Sequence, residues 1–158
     1  MERLNALLAR ELTLVDAYAR DMAPLRGRMR VVAARLHRQG LEHVDALNKS
    51  IRGLGGEADA EAEEVEAAPP KDRSEALTFL YEEENAALAE AIEAAPQLES
   101  EAPRTLAAAL AASHAQHLVL LRQGLGSGLA GSVPAALESG EEPPPSTPAG
   151  PSAPTEEG

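Results

Sequence analysis

Apolar residues recur every three or four positions along four separate stretches of the chain, which is the period of an α-helix with one buried face. Proline and glycine residues separate these stretches. The pattern predicts an all-α fold. The four predicted helices span about residues 3–22, 28–54, 74–95 and 103–124.

The predicted helices are joined by connections of unequal length. Pro24 ends the first helix just before a short turn, and the glycines within 53–56 are typical of a helix C-terminus. The acidic, Ala-rich segment 57–73 predicts a long crossover loop with room for one weak helical turn, after which Ser74 can cap the third helix. Another short turn follows. Two helical hairpins joined by a long crossover predict an antiparallel four-helix bundle.

Each predicted helix carries ionisable residues in the middle of its apolar stripe. A buried carboxylate or imidazole without a partner costs about 1–3 kcal/mol or more. Such positions on four core faces make sense if the groups meet around a common centre, and a metal ion is the obvious candidate. The positions are Glu11, His43, Glu84, His114 and His117.

Composition narrows the chemistry of this centre. Only 2% of the 158 residues are aromatic, so Leu and Ala must fill the core, which suits close helix packing. The chain has no cysteine, which excludes disulfides, thiolate metal sites and cysteine nucleophiles. The net charge of -12 argues against nucleic acid or an anionic membrane as a partner.

No apolar run is long enough to span a membrane and no signal-peptide core is present, so we expect a cytoplasmic location.

The C-terminal segment differs in composition from the rest of the chain. Residues 138–158 are rich in Pro and Glu and contain no Lys or Arg, so we expect a bundle domain over 1–130 and a disordered tail over 131–158. The arginines within 26–38 are expected to solvate the outer face of the second helix and to pair with acidic neighbours. Ala-rich stripes permit close helix approach and make a homodimer possible. The sequence identifies no other protein partner.

The sequence resembles the bacterial ferritin-like domain proteins, a branch of the ferritin-like superfamily with a di-metal carboxylate site. The resemblance covers roughly residues 3–126 and implies a ferritin-like bundle. In that superfamily two helices each supply one Glu, and the other two each supply a Glu-x-x-His pair on one helix face. The resemblance rests on LLARELTLVDAYA, LEHVDALNKSIRGLGG, FLYEEENAALAEAI and HAQHLVLLRQGLG, one from each helix.

The chain departs from the superfamily pattern at Gly40 and His114, which stand where the two motif glutamates usually bridge the metal ions. Two cations held close together repel each other, and bridging carboxylates offset that repulsion. The resemblance therefore implies a degenerate di-metal site. The positions that match the pattern are Glu11, His43, Glu84 and His117.

Each candidate ligand also has a structural interpretation. Glu11 and Glu84 either bind metal or form a polar layer with histidines across the bundle. A small rotation of the third helix would instead turn Glu84 toward solvent. His114 either completes a mononuclear site with His117 or forms a hydrogen bond to one of the glutamates. The space beside Gly40 can be filled by His114, by water or by a small ligand.

Three functions are open at this point. The first is a ferritin-like protein with a degenerate di-metal site that is not a working di-iron oxidase. The second is a protein with a mononuclear metal site, in which the His/Glu cluster binds one ion of iron, zinc or another divalent transition metal. The third is a di-iron oxidase or iron-handling protein, which we place last because both bridging positions are lost. The sequence identifies no catalytic residue or substrate.

Overall fold

The chain folds into four α-helices in a computed structural model, which describes residues 1–63 and 68–126. No strand occurs within these two ranges, so the prediction of an all-α fold is confirmed. The predicted disordered tail over 131–158 lies outside the described residues. The helices are α1 (Glu2–Asp21), α2 (Gly27–Gly53), α3 (Arg73–Ala94) and α4 (Glu101–Gly124), with a short 3₁₀ helix at Ala95–Gln97.

The ends of α2 and α3 are set by local hydrogen bonds. Gly55 follows α2 with a φ of 77°, and the amides of Gly55 and Gly56 donate to the last turn of the helix, so the predicted glycine C-cap is confirmed. The predicted cap of α3 is wrong. Asp72, not Ser74, caps this helix, because its carboxylate accepts hydrogen bonds from the amides of Ser74 and Glu75 at 2.8 and 2.9 Å.

The four helices form a ring in which each packs against two neighbours. α1 contacts α2 and α3, and α4 contacts the same two helices. The crossover runs along α1, since the Asn5 side chain donates to the carbonyl of Glu57 and the Glu63 amide donates to the Thr13 hydroxyl at 2.8 Å. Residues 57–63 and 68–72 contain no helical turn. This connectivity is that of a ferritin-like bundle.

The core consists of two apolar clusters. The first lies toward the C-terminal end of α1 and includes Leu14, Leu36, Leu80 and Leu121. The second lies toward the N-terminal end of α1 and includes Leu8, Leu47, Leu98 and Leu110. Each helix therefore packs one half into the first cluster and the other half into the second. Its ionisable site residue or residues lie near the boundary between the two halves. Among the described residues, no helix is both long enough and apolar enough to cross a membrane.

Candidate metal centre

All five predicted site residues meet between the two apolar clusters. Glu84 is 0% exposed and His114 1%, so the interpretation in which Glu84 faces solvent is wrong. Glu11 and His117 are also buried. The fifth residue, His43, is half-buried and has 15% of its side chain exposed, so the layer opens to solvent on the α2 side.

His114 lies at the centre of this polar layer and contacts both glutamates. Its Nε2 is 2.7 Å from Oε1 of Glu11, and its Nδ1 is 2.8 Å from Oε2 of Glu84. A carboxylate only accepts hydrogen bonds, and a neutral imidazole has only one N–H. Two donated bonds to two carboxylates therefore require the imidazolium form of His114. The imidazolium stands as a cation between two buried anions.

The remaining carboxylate oxygens have their own donors. Oε1 of Glu84 accepts from the Tyr18 hydroxyl at 2.7 Å and from Nδ1 of His117 at 3.0 Å. Nε2 of His117 can then accept the Ser113 hydroxyl at 3.3 Å. Oε2 of Glu11 lies 3.3 Å from Nδ1 of His43. Each glutamate is thus bonded through both oxygens, and every helix of the bundle contributes to the network.

Tyr18 also belongs to this site, although it is not among the five residues that the sequence predicted. It lies seven positions after Glu11 on the same face of α1 and is 1% exposed. A buried tyrosine hydroxyl normally has a hydrogen-bond partner, so an i, i+7 spacing from a core glutamate was the available signal. Burial, with the nearby charge of Glu84, raises the pKa of Tyr18 well above its ordinary value. Its hydroxyl is therefore a hydrogen-bond donor.

The electrostatics of the layer favour charged glutamates and a charged His114. Burial opposes ionisation of Glu84, but hydrogen bonds from His114 and His117 outweigh it and lower the pKa of Glu84 to about 2. The pKa of Glu11 is lowered by the same balance, with His114 and His43 as donors. Burial also opposes the charge on His114, but its bonds to both carboxylates raise its pKa to about 10.

The space beside Gly40 is occupied by a side chain of α1. A Cβ at Gly40 would lie 3.1 Å from Cγ2 of Val15, so α1 and α2 approach closely here and a larger residue would require the Val15 side chain to shift. The expectation that His114 fills this space is wrong, because the nearest side chain there is that of Val15.

Two groups of three donors in the polar layer could each hold a divalent cation. Glu11, His43 and His114 form one triad, and Glu84, His114 and His117 form a second, with the ligand atoms of each triad within 4.8 Å of one another. Carboxylate oxygen and imidazole nitrogen suit iron, zinc and similar ions. The two triads have only His114 in common. Each glutamate belongs to only one of the two triads.

The fold and the site together define a class of protein: an antiparallel four-helix bundle with a crossover and a layer of carboxylates and imidazoles from all four helices. The family described as "Ferritin-like domain" matches residues 4–127 of the chain. The chain belongs to this ferritin-like family. No curated protein and no solved structure matches it.

Proposed function

We propose that this chain is a ferritin-like protein with a degenerate di-metal site, and that it is not a working di-iron oxidase. The observation that carries the proposal is the position of His114, whose two ring nitrogens each contact a carboxylate oxygen. The residue that replaces a bridging glutamate thus brings its own positive charge to the place between Glu11 and Glu84.

A packed polar layer accounts for the buried charges without a metal ion. Removing one member of a buried ion pair costs about 3–5 kcal/mol, so each glutamate needs a cationic or hydrogen-bonding partner. His114, His117, His43 and Tyr18 supply those partners on four sides. The layer then joins all four helices at mid-height and fixes how they pack.

A di-iron oxidase is disfavoured because two close cations need bridging anions. His114 in its neutral form can bind a metal through either nitrogen, but it brings no negative charge to offset cation repulsion. Val15 fills the second bridging position, beside Gly40. Both changes act against a dinuclear centre.

The experiment for this proposal is metal analysis of the full chain purified without chelators. Inductively coupled plasma mass spectrometry should find no stoichiometric iron, zinc, manganese or copper. Incubation with iron(II) in air should give no oxidation above the protein-free rate. About two irons per chain, with oxygen-dependent turnover, would contradict the proposal.

A second candidate function is binding of a single divalent cation in the triad of Glu11, His43 and His114. This triad is favoured over the other because His43 is partly exposed and gives an ion a way in. Glu84 is fully buried and already accepts bonds from Tyr18 and two histidines. An ion bound here would act as a Lewis acid or, if it is iron, in electron transfer.

Zinc titration followed by calorimetry separates the two candidates. One ion per chain would support the second candidate and contradict the first. His114→Ala should then abolish binding, while His37→Ala, a change at a half-buried histidine elsewhere on α2, should leave it intact. Metal retained in full by His114→Ala would show that His114 is not a ligand.

The homodimer and the cytoplasmic location stay predictions.

A further inference from the structure

The outer face of α2 carries a row of arginines that have no acidic partner among the described residues, so the expected pairing with acidic neighbours is not found for them in that part of the chain. Arg28, Arg35 and Arg38 are exposed, and none has a carboxylate within ion-pair distance among residues 1–63 and 68–126. Val31 lies between them and is 70% exposed. The spacings of three, four and three residues place all four side chains on one helix face, over about 15 Å. We call these four residues the arginine stripe.

Other arginines in this region have neighbours that hold them. Arg30 donates to the carbonyl of Met22, and Arg26 donates to the carbonyls of Ala23 and Leu25 at the turn between α1 and α2. The three arginines of the stripe are therefore distinct from Arg26 and Arg30, and their guanidinium groups are exposed on the outer side of α2. In a chain with a net charge of -12, a row of cations that finds no carboxylate partner within residues 1–63 and 68–126 favours an acidic occupant.

The same chain supplies such an occupant. Residues 138–142 contain Glu138, Glu141 and Glu142, and residues 138–158 contain no Lys or Arg. In an extended conformation the three acids span about 13 Å, close to the length of the stripe. We propose that residues 138–142 dock on the arginine stripe of α2.

The position of the last described residues supports this docking. A Cβ at Gly124 would lie 2.7 Å from the end of the Met29 side chain, so α4 ends against the first turn of α2, next to Arg28. Residues 127–137 then provide eleven residues, which can reach up to about 36 Å. That reach covers every part of the stripe. Tethering also gives the acidic segment a local concentration in the millimolar range.

Docking through exposed charges depends on salt. The Debye length falls from about 10 Å at 0.1 M salt to about 3 Å at 1 M, so the contact should form at low salt and be lost at high salt. A single exposed ion pair contributes little, but losing three of them together should lower the ratio of docked to free segment by roughly tenfold.

A spin label tests the contact directly. The chain has no cysteine, so Ser146→Cys places a single nitroxide four residues beyond the acidic segment. At low salt, the backbone amides of residues 28–38 should be broadened more than those of α1 and α3, and 1 M salt should remove the difference. Replacing Arg28, Arg35 and Arg38 together with Gln should also remove it.

The matched control replaces three exposed arginines elsewhere, Arg3, Arg52 and Arg104, with Gln. It changes the net charge equally and should preserve the broadening of α2. Broadening that is uniform over the surface, or that survives loss of the stripe, would overturn the proposal. Broadening seen only when spin-labelled chains are mixed with isotope-labelled ones would also overturn it, because the occupant would then be a second copy.

Discussion

Replacing His114 with glutamine removes the cation between Glu11 and Glu84 and keeps a polar side chain. The glutamine amide group can donate to one carboxylate, but its carbonyl oxygen then faces the other. The two lost bonds, 2.7 and 2.8 Å long, are charge-assisted and contribute about 1.5–3 kcal/mol each. Breaking a buried ion pair costs about 3–5 kcal/mol. We expect His114→Gln to lower the free energy of unfolding by about 4 kcal/mol at pH 6.

The pH dependence of this loss identifies its cause. The pKa of His114 is about 10 in the folded chain, against an ordinary value of 6.5. Between these values the folded state holds a proton that the unfolded state has released, so stability falls by roughly 1.4 kcal/mol per pH unit as pH rises. The variant has no such proton. The difference between wild type and variant should therefore shrink below about 1 kcal/mol at pH 9.

Urea denaturation followed by circular dichroism measures both numbers. With a slope of about 2 kcal/mol per molar urea, the variant midpoint should lie about 2 M lower at pH 6. His37→Gln, at a half-buried histidine outside the site, should change stability by less than about 0.5 kcal/mol. A loss that is the same at pH 6 and pH 9, or under about 1 kcal/mol at pH 6, would refute the reasoning.

Three further predictions concern the same layer. Tyr18→Phe should cost about 1–3 kcal/mol in urea denaturation, because Oε1 of Glu84 loses a buried donor, and a change near zero would contradict that role. The pKa of Glu84 is about 2, below its ordinary 4.5, so an acid titration should show stability falling as pH drops from 4.5 toward 2. This fall should be clearly smaller in Glu84→Gln, in which only Glu11 of the two buried glutamates still has a lowered pKa, and an unchanged fall would contradict the role of Glu84. Gly40→Glu combined with His114→Glu restores both Glu-x-x-His pairs, and Val15→Ala makes room for the first. This triple variant should bind about two irons per chain by mass spectrometry, and no binding would show that more than the bridges has been lost.

The fold was predictable from the sequence because each helix has one continuous apolar stripe bounded by glycine or proline. The long crossover was predictable from composition, since segment 57–73 has no apolar period. The residue that caps the start of α3 was not predictable from the sequence. Ser74 and Asp72 are both capping residues two positions apart, and only the backbone geometry shows that the Asp72 carboxylate reaches two free amides.

The membership of the site was also largely predictable, because a charged residue inside an apolar stripe must find a partner. The details depend on distances that a sequence does not contain. His114 was expected to bond to one glutamate, whereas its two ring nitrogens reach both. Val15 and Tyr18 were not among the predicted site residues, yet Val15 packs against Gly40 and Tyr18 donates a hydrogen bond to Glu84.

The most direct test of the account is the protonation state of the His114 ring, measured by long-range ¹H–¹⁵N NMR at pH 8 on protein purified without chelators. The account predicts that both ring nitrogens carry protons, although a free histidine is mostly neutral at this pH. A ring with one unprotonated nitrogen, or a nitrogen shifted by a bound metal ion, would contradict it.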